Sequence, residues 1–228
     1  GRLSLSLMQK EKSMRILKVQ GKGRVNAEPD LITLSFEVET KAKDYEECLR
    51  NLNARTEDLR ASMTAAQLDR TELKTTAFSV RVETKYNSKT RQYMFEGYRA
   101  SHNLHIELPA DKQLLNQAIR CVSQSNSGAE ISLDFSVKDK DSLRKRALAE
   151  AVKTAKENAE ALATAAGENI GKLKQIDYGW AENRISNRVA DMVCQGPAPP
   201  TPMEYEADIE PEDIVAEDNV TLVYEIAD

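Results

Sequence analysis

Aromatic residues, cysteines, histidines and long apolar runs are all scarce in this chain of 228 residues. Aromatic residues make up 5% of the sequence, so the core must consist mainly of aliphatic side chains and alanine. No apolar run approaches the ~20 residues of a membrane-spanning helix, so we expect no membrane span. The net charge of −5 disfavours nucleic acid as a partner, because nucleic-acid-binding proteins carry a basic excess on one face.

The three cysteines, Cys48, Cys121 and Cys194, are too few and too dispersed for a disulfide framework or a CxxC motif. Such sparse cysteines favour a reducing compartment. We therefore favour a cytoplasmic location on the visible chain, with an exported or periplasmic one as the alternative if a signal peptide was removed. Residues 1–13 are interpreted as an N-terminal arm or a remnant of cloning, with the domain covering 14–228.

Apolar residues recur with periods of two and of 3.6, which predicts both strands and helices. The clearest strand is 31–40, where Ile32, Leu34, Phe36 and Val38 alternate with polar residues. The longest predicted helix, 142–166, begins after a capping Asp141, ends at Gly167 and carries an alanine stripe. The remaining predicted elements are strands at 16–25, 73–82, 93–108, 131–137, 172–180 and 220–226, and helices at 43–68 and after residues 109–111.

Two segments follow the same order of strand, helix and strand, within residues 33–80 and 102–137. Together with a long hairpin around Asn87, this pattern favours an α+β fold over a doubly wound parallel sheet. We predict two βαβ-like lobes with mixed or antiparallel sheets backed by long helices. A bulge is expected near Ala77, where apolar residues switch from one face of the strand to the other, and a bulge or bend is expected at the glycines Gly21 and Gly23.

Residues 181–213 contain five of the seven prolines and separate two predicted strands. Long irregular connections are usually functional or disordered, so we predict a projecting loop there. Four aliphatic residues precede the prolines at spacings of four, three and one, which indicates one short helical turn with an apolar side. We predict that this turn is an oligomer contact formed by Ile185, Val189, Met192 and Val193.

No catalytic, cofactor-binding or metal-binding residues are predicted. His102 and His105 lie three residues apart in a strand, and an odd separation places them on opposite faces. Gly21 to Gly23 lack the spacing of a phosphate-binding loop. Carboxylates cluster between residues 204 and 218, and we interpret them as a solvated acidic surface.

Five phrases occur in order along the chain, at residues 21–40 (GKGRVNAEPDLITLSFEVET), 71–80 (TELKTTAFSV), 97–108 (GYRASHNLHIEL), 149–173 (AEAVKTAKENAEALATAAGENIGKL) and 209–226 (IEPEDIVAEDNVTLVYEI). This ordered set resembles the SIMPL domain family. Two departures are Glu212, where the family often has glycine, and His102, where a small or polar residue is expected. The resemblance implies an α+β protein inclined to self-assemble, often exported in Gram-negative bacteria and sometimes linked to oxidative-stress defence. It implies no catalytic residues.

Three functions therefore compete. The first is a non-enzymatic, self-assembling structural or interaction protein, whose partner is the chain itself. The second is a module that binds a small molecule or a peptide in a groove between the lobes. The third is a hydrolase whose residues converge only in three dimensions, which a contact between a nucleophile and a base would support.

Overall fold

The computed structural model describes residues 15–179, 185–193 and 208–227, and these ranges contain eight strands, three α-helices and one 3-10 turn. No helix within them is both long and apolar enough to cross a membrane. The elements are β1 (Ile16–Ala27), β2 (Leu31–Ala42), α1 (Tyr45–Ala65), the 3-10 turn (Arg70–Glu72), β3 (Lys74–Asn87), β4 (Gln92–Pro109), α2 (Lys112–Ser123), β5 (Glu130–Ser136), α3 (Lys140–Ala166), β6 (Asn169–Asp177), β7 (Ser186–Val193) and β8 (Ile214–Ala227).

The chain divides into two compact units, and both combine helices with a sheet, which confirms the α+β prediction. Unit 1 comprises Gly1–Ala27, Asp139–Ile185 and Val215–Asp228. Unit 2 comprises Glu28–Lys138 and Ser186–Ile214.

Unit 2 contains a sheet of order β3-β4-β2-β5-β7, in which all neighbouring strands run antiparallel. Its first four strands and two helices have the β-α-β-β-α-β order of ferredoxin-like folds. Both βαβ segments therefore interleave in this one sheet, since β4 lies between β2 and β3, and β2 lies between β4 and β5. They do not divide between the two units.

One face of this sheet forms the core of unit 2. Alternate residues of β2 and β4, such as Leu34, Phe36 and Leu104, are almost fully buried on the side that α1 and α2 cover. The opposite residues are polar, as expected for an antiparallel sheet with one wet face. Asp44 and Asp111 cap the two helices by accepting hydrogen bonds from backbone N–H groups of the first turn.

Unit 1 contains the sheet β1-β8-β6 and the helix α3. Asp139 caps α3 by accepting a 2.8 Å hydrogen bond from the Ser142 N–H, so the prediction of Asp141 as the cap is wrong. The helix ends at Gly167, as predicted, because that residue adopts the left-handed conformation (φ 68°).

The alanine stripe of α3 lies directly against β1. Ala147, Ala151 and Ala155 are all 0% exposed. A Cβ added at Gly23 would lie 1.9 Å from the Ala147 carbonyl oxygen, and one added at Gly21 would lie 2.1 Å from that of Ala151. Burial alternates along β1 through both glycines. The bulge or bend predicted at them stays a prediction. The glycines are needed because the helix backbone approaches the strand backbone too closely for any side chain.

Candidate functional site

The hairpin of β3 and β4 in unit 2 carries the most unusual surface among the described residues. Five of the twelve aromatic residues of the chain lie between residues 78 and 98. Most of their side chains are exposed, and the exposed fraction reaches 74% at Tyr93. Large apolar groups that cluster in solvent commonly mark an interaction site.

These residues share one side of the hairpin, which we call the aromatic face. It consists of Phe78, Val82, Tyr86, Tyr93, Phe95 and Tyr98. Tyr86 and Tyr93 are directly opposite in register, and their ring centroids lie 5.2 Å apart. Phe95 contacts Tyr98 edge-on at 5.3 Å, and Tyr98 contacts Tyr45 of α1 at 5.5 Å.

A bulge in β4 brings the aromatic residues onto the same side. The register shifts between the pairs Glu83–Gly97 and Thr84–Phe95, which leaves Glu96 as the extra residue. Without this bulge, the alternation of the strand would place Phe95 on the side opposite Tyr98. Gly97 makes the bulge feasible because its φ of 144° is unfavourable for other residues, and an added Cβ would lie 2.5 Å from the Ala42 carbonyl oxygen.

The opposite side of the hairpin is charged, and several of its charges are paired. Arg99 donates to both oxygens of Glu83 at 2.7 and 3.1 Å and to Glu39 at 3.1 Å. These hydrogen bonds from Arg99 lower the pKa of Glu83. Lys85 lies 4.0 Å from Glu96. The hairpin is therefore amphipathic, with one polar side and one aromatic side exposed to solvent.

The tip of the hairpin is an ordered turn that presents two cations. The Asn87 side chain accepts hydrogen bonds from the N–H groups of Lys89 and Thr90 at 2.9 and 3.3 Å. Arg91 adopts a left-handed backbone conformation with φ 55°. Neither Lys89 nor Arg91 has a carboxylate partner within the ranges that the structure describes.

His102 lies on β4 beside the aromatic face, between two threonines. Its Nε2 is 2.8 Å from the Thr75 hydroxyl, and its Nδ1 is 3.3 Å from the Thr56 hydroxyl of α1. Its ring also contacts Phe78 edge-on at 5.4 Å. Burial lowers the pKa of His102, and the positive charge of Arg60 lowers it further. A neutral imidazole can accept a hydrogen bond from Thr75 and donate one to Thr56.

The predicted helical turn before the prolines is a strand. Residues 186–193 form β7, an edge strand that pairs with β5. Its register shifts at Val189, because Arg188 pairs with Asp134 and Ala190 pairs with Leu133. That bulge breaks the apolar alternation, which explains the apparent helical spacing.

The four residues predicted as an oligomer contact are only partly described. Ile185 is 4% exposed, so its side chain is buried within the chain. Val189, Met192 and Val193 belong to β7, where Met192 pairs with Ile131 and Val193 with Glu130. The other residues of the predicted loop, 181–184 and 194–207, lie outside the described residues, as does Cys194.

The cysteines and the acidic stretch form no site among the described residues. Cys48 is fully buried, and its thiol lies 3.5 Å from the Thr40 and Tyr98 carbonyl oxygens. Cys121 is half-buried. In the acidic stretch, Asp208 pairs with Lys112, and this hydrogen bond lowers the pKa of Asp208. Across residues 15–179, 185–193 and 208–227, no cluster of His, Cys, Asp or Glu could hold a metal ion.

Unit 1 contains an open groove of about 1090 Å³, which we call the unit 1 groove. It is lined by residues 20–22, 154, 158, 176–179 and 219–221 of β1, α3, the end of β6 and β8. Ile176 and Tyr178 are 58% and 43% exposed there. The Tyr178 hydroxyl donates a 3.0 Å hydrogen bond to Asp218, which raises the pKa of Tyr178.

Sequence reasoning missed both of these surfaces. The concentration of aromatic residues between 78 and 98, in a chain with 5% aromatic residues, was the available signal for the hairpin. The groove had no comparable signal, because it brings together residues from four elements that are distant in the sequence.

Comparison with known proteins identifies the family. The sequence model described as SIMPL, protein of unknown function (DUF541), matches residues 17–224. No curated protein matches the chain.

Proposed function

We propose that this chain, which belongs to the SIMPL family, is a non-enzymatic protein that assembles with copies of itself. The observation that supports this function is the aromatic face of the β3–β4 hairpin. Five of its six side chains are half to three-quarters exposed, and the sixth, Tyr98, is half-buried. Aromatic residues are among those most enriched in protein interfaces.

The area of the aromatic face fits a protein interface. Each aromatic side chain can bury ~150–250 Å². With four rings roughly half or more exposed, the face offers on the order of 500 Å² per copy. Covering it with a similar area of a second copy would bury about 1,000 Å² in total, which is the lower range of specific interfaces.

The position of the hairpin supports the same function. β3 is an edge strand of the five-stranded sheet, and it is 14 residues long. Long apolar edges that stay uncovered promote uncontrolled aggregation, so proteins usually block them or use them for pairing. Self-assembly would cover the aromatic face and this edge together.

Light scattering on matched variants tests the proposal. We expect the wild-type protein to be oligomeric at micromolar concentration and the double variant Tyr93→Ser/Phe95→Ser to be monomeric and folded. The control is Ile16→Ser, which removes an apolar side chain of similar exposure, 54% against 55% for Phe95, from unit 1. A monomeric wild-type protein, or a double variant that keeps the wild-type mass, would reject the proposal.

A hydrolase is the second candidate, because the Thr75 hydroxyl contacts His102 Nε2 at 2.8 Å. A hydroxyl beside a histidine is the arrangement of an activated nucleophile. The ring nitrogen on the other side faces the neutral Thr56 hydroxyl, which stabilises an imidazolium less than a carboxylate does. The test is labelling by a fluorophosphonate or hydrolysis of an activated ester, each abolished in Thr75→Val. We expect neither reaction above background.

The association role predicted for Ile185, Val189, Met192 and Val193 stays a prediction. Because β7 is the other edge of the sheet, a contact there would use backbone groups of a strand rather than the side of a helical turn.

A further inference from the structure

We infer that assembly is head-to-tail, with the hairpin tip of one copy bound in the unit 1 groove of the next. This inference rests on the proposed function, since it names the surface that receives the hairpin. It differs from a symmetric contact, in which two hairpins would pack on each other.

Charge is the first observation behind this arrangement. The tip carries Lys89 and Arg91, which have no carboxylate partner among the described residues. In the groove, Asp177 accepts from the Gln175 amide at 2.5 Å. Asp218 lies beside the lining residues Tyr178 and Asn219, and it accepts hydrogen bonds from the Tyr178 hydroxyl and from the Asn219 N–H. These partners are neutral. Within the described part of the chain, two cations with no carboxylate partner on the tip therefore match two carboxylates with no ion-pair partner at the groove.

Three cations of unit 1 near the groove have carboxylate neighbours. Lys22 lies 2.8 Å from Glu217, which also lies 3.8 Å from Arg24. Arg144 lies 3.7 Å from Asp141. The carboxylates beside these three cations reduce the repulsion that a basic tip would meet at the groove.

The two surfaces also match in chemistry. The tip places Tyr86 and Tyr93 next to its cations, and these side chains combine apolar rings with hydroxyl groups. The groove offers the exposed Ile176 and Tyr178 for the rings. Asn158 and Thr221 line the same groove and supply hydrogen-bonding groups. A symmetric pairing of hairpins would leave these groove residues uncovered.

Charge reversal tests the arrangement, with light scattering as the readout and circular dichroism as the check on folding. The tip variant is Lys89→Glu/Arg91→Glu, and the groove variant is Asp177→Lys/Asp218→Lys. We expect each variant alone to lose most of the oligomer. We expect an equimolar mixture to recover the wild-type mass, because each reversed surface then meets a surface of opposite charge in the other variant.

The outcomes separate this inference from the proposed function. If the wild-type protein is monomeric, the proposed function fails. If the wild-type protein is oligomeric and Tyr93→Ser/Phe95→Ser is monomeric, but the mixture of charge variants stays dissociated, self-assembly stands and the head-to-tail contact is wrong.

A measurement on the unaltered protein covers the case in which the groove variant does not fold. A zero-length carbodiimide joins a lysine amine to a carboxylate only where the two are in contact. We expect a cross-link between Lys89 and Asp177 or Asp218, and mixed isotope-labelled and unlabelled protein should show it between copies. An oligomer that yields no such cross-link between copies would overturn the inference.

Discussion

Unit 1 and the hairpin of unit 2 use side-chain size in opposite ways. In unit 1, Gly21 and Gly23 let β1 approach the alanine stripe of α3 until backbone meets backbone at these two positions. In the hairpin, a bulge gathers large rings on one side and leaves them in solvent. The first contact is complete within the chain, whereas the second surface lacks a covering partner among the described residues. An equal change in side-chain volume should therefore have very different effects on stability in the two regions.

The largest effect is expected at the closest backbone contact. Gly23→Ala places a methyl group 1.9 Å from the Ala147 carbonyl oxygen, so the helix or the strand must move. We expect a loss of about 3 kcal/mol or more in the free energy of unfolding, measured by urea denaturation. Gly179→Ala is the control, because nothing lies within 4 Å of a Cβ added there. Equal stability of the two variants would show that the contact is loose.

A somewhat smaller effect is expected on the helix side of the same contact. Ala151→Leu adds three carbon atoms to a fully buried position, and we expect a cost of about 1–3 kcal/mol. Ala161→Leu makes the same change on an exposed position of α3 and should leave the melting temperature nearly unchanged. An unchanged melting temperature for Ala151→Leu would mean that the stripe tolerates larger side chains.

The next effect depends on pH and concerns His102 beside the aromatic face. Because its pKa is lowered in the folded state, folding favours the neutral ring. Its contribution to stability is present above the ordinary histidine pKa and is lost as the pH falls toward the lowered value. The urea midpoint of unfolding should fall when the pH is lowered from 7.5 to 5.5. This fall should be larger for the wild-type protein than for His102→Gln. A flat wild-type profile would contradict the expectation.

The smallest effect on stability is expected on the aromatic face itself. Tyr93 is 74% exposed and contacts mainly the ring of Tyr86 across the hairpin. Tyr93→Ser should therefore cost less than about 1 kcal/mol in the free energy of unfolding, although it changes the oligomer mass. A cost comparable to that of Gly23→Ala, measured at a concentration where the wild type is dissociated, would place Tyr93 in the core.

The elements that sequence predicts well are those with an unbroken pattern. The alternation of β2 gives a strand whose Ile32, Leu34 and Phe36 are buried as expected, and the alanine stripe of α3 gives a buried helix face. A change in the face on which apolar residues fall also predicted a bulge in β3 near Ala77. The structure has a register shift there, between the pairs formed by Thr75 and by Ala77.

The elements that sequence predicts poorly are those in which a bulge changes the pattern without an obvious mark. The bulge at Val189 makes β7 resemble a helical turn. Phe95 and Tyr98 are three positions apart, so strand alternation alone would place them on opposite faces. Because of the bulge at Glu96, their rings are nevertheless in contact. Strand order is a further limit, because the interleaving of the two βαβ segments depends on long-range pairing and not on local periodicity.

The division of the chain into segments has a consequence for the order of folding. Most of unit 2 is the uninterrupted stretch Glu28–Lys138, whereas unit 1 joins β1, α3 and β8 from distant parts of the chain. At ~5–20 residues per second of synthesis, roughly ten to forty seconds separate the emergence of β1 from that of β8. We therefore expect unit 2 to start folding on the ribosome before β8, the strand that neighbours β1 in its sheet, has been synthesised.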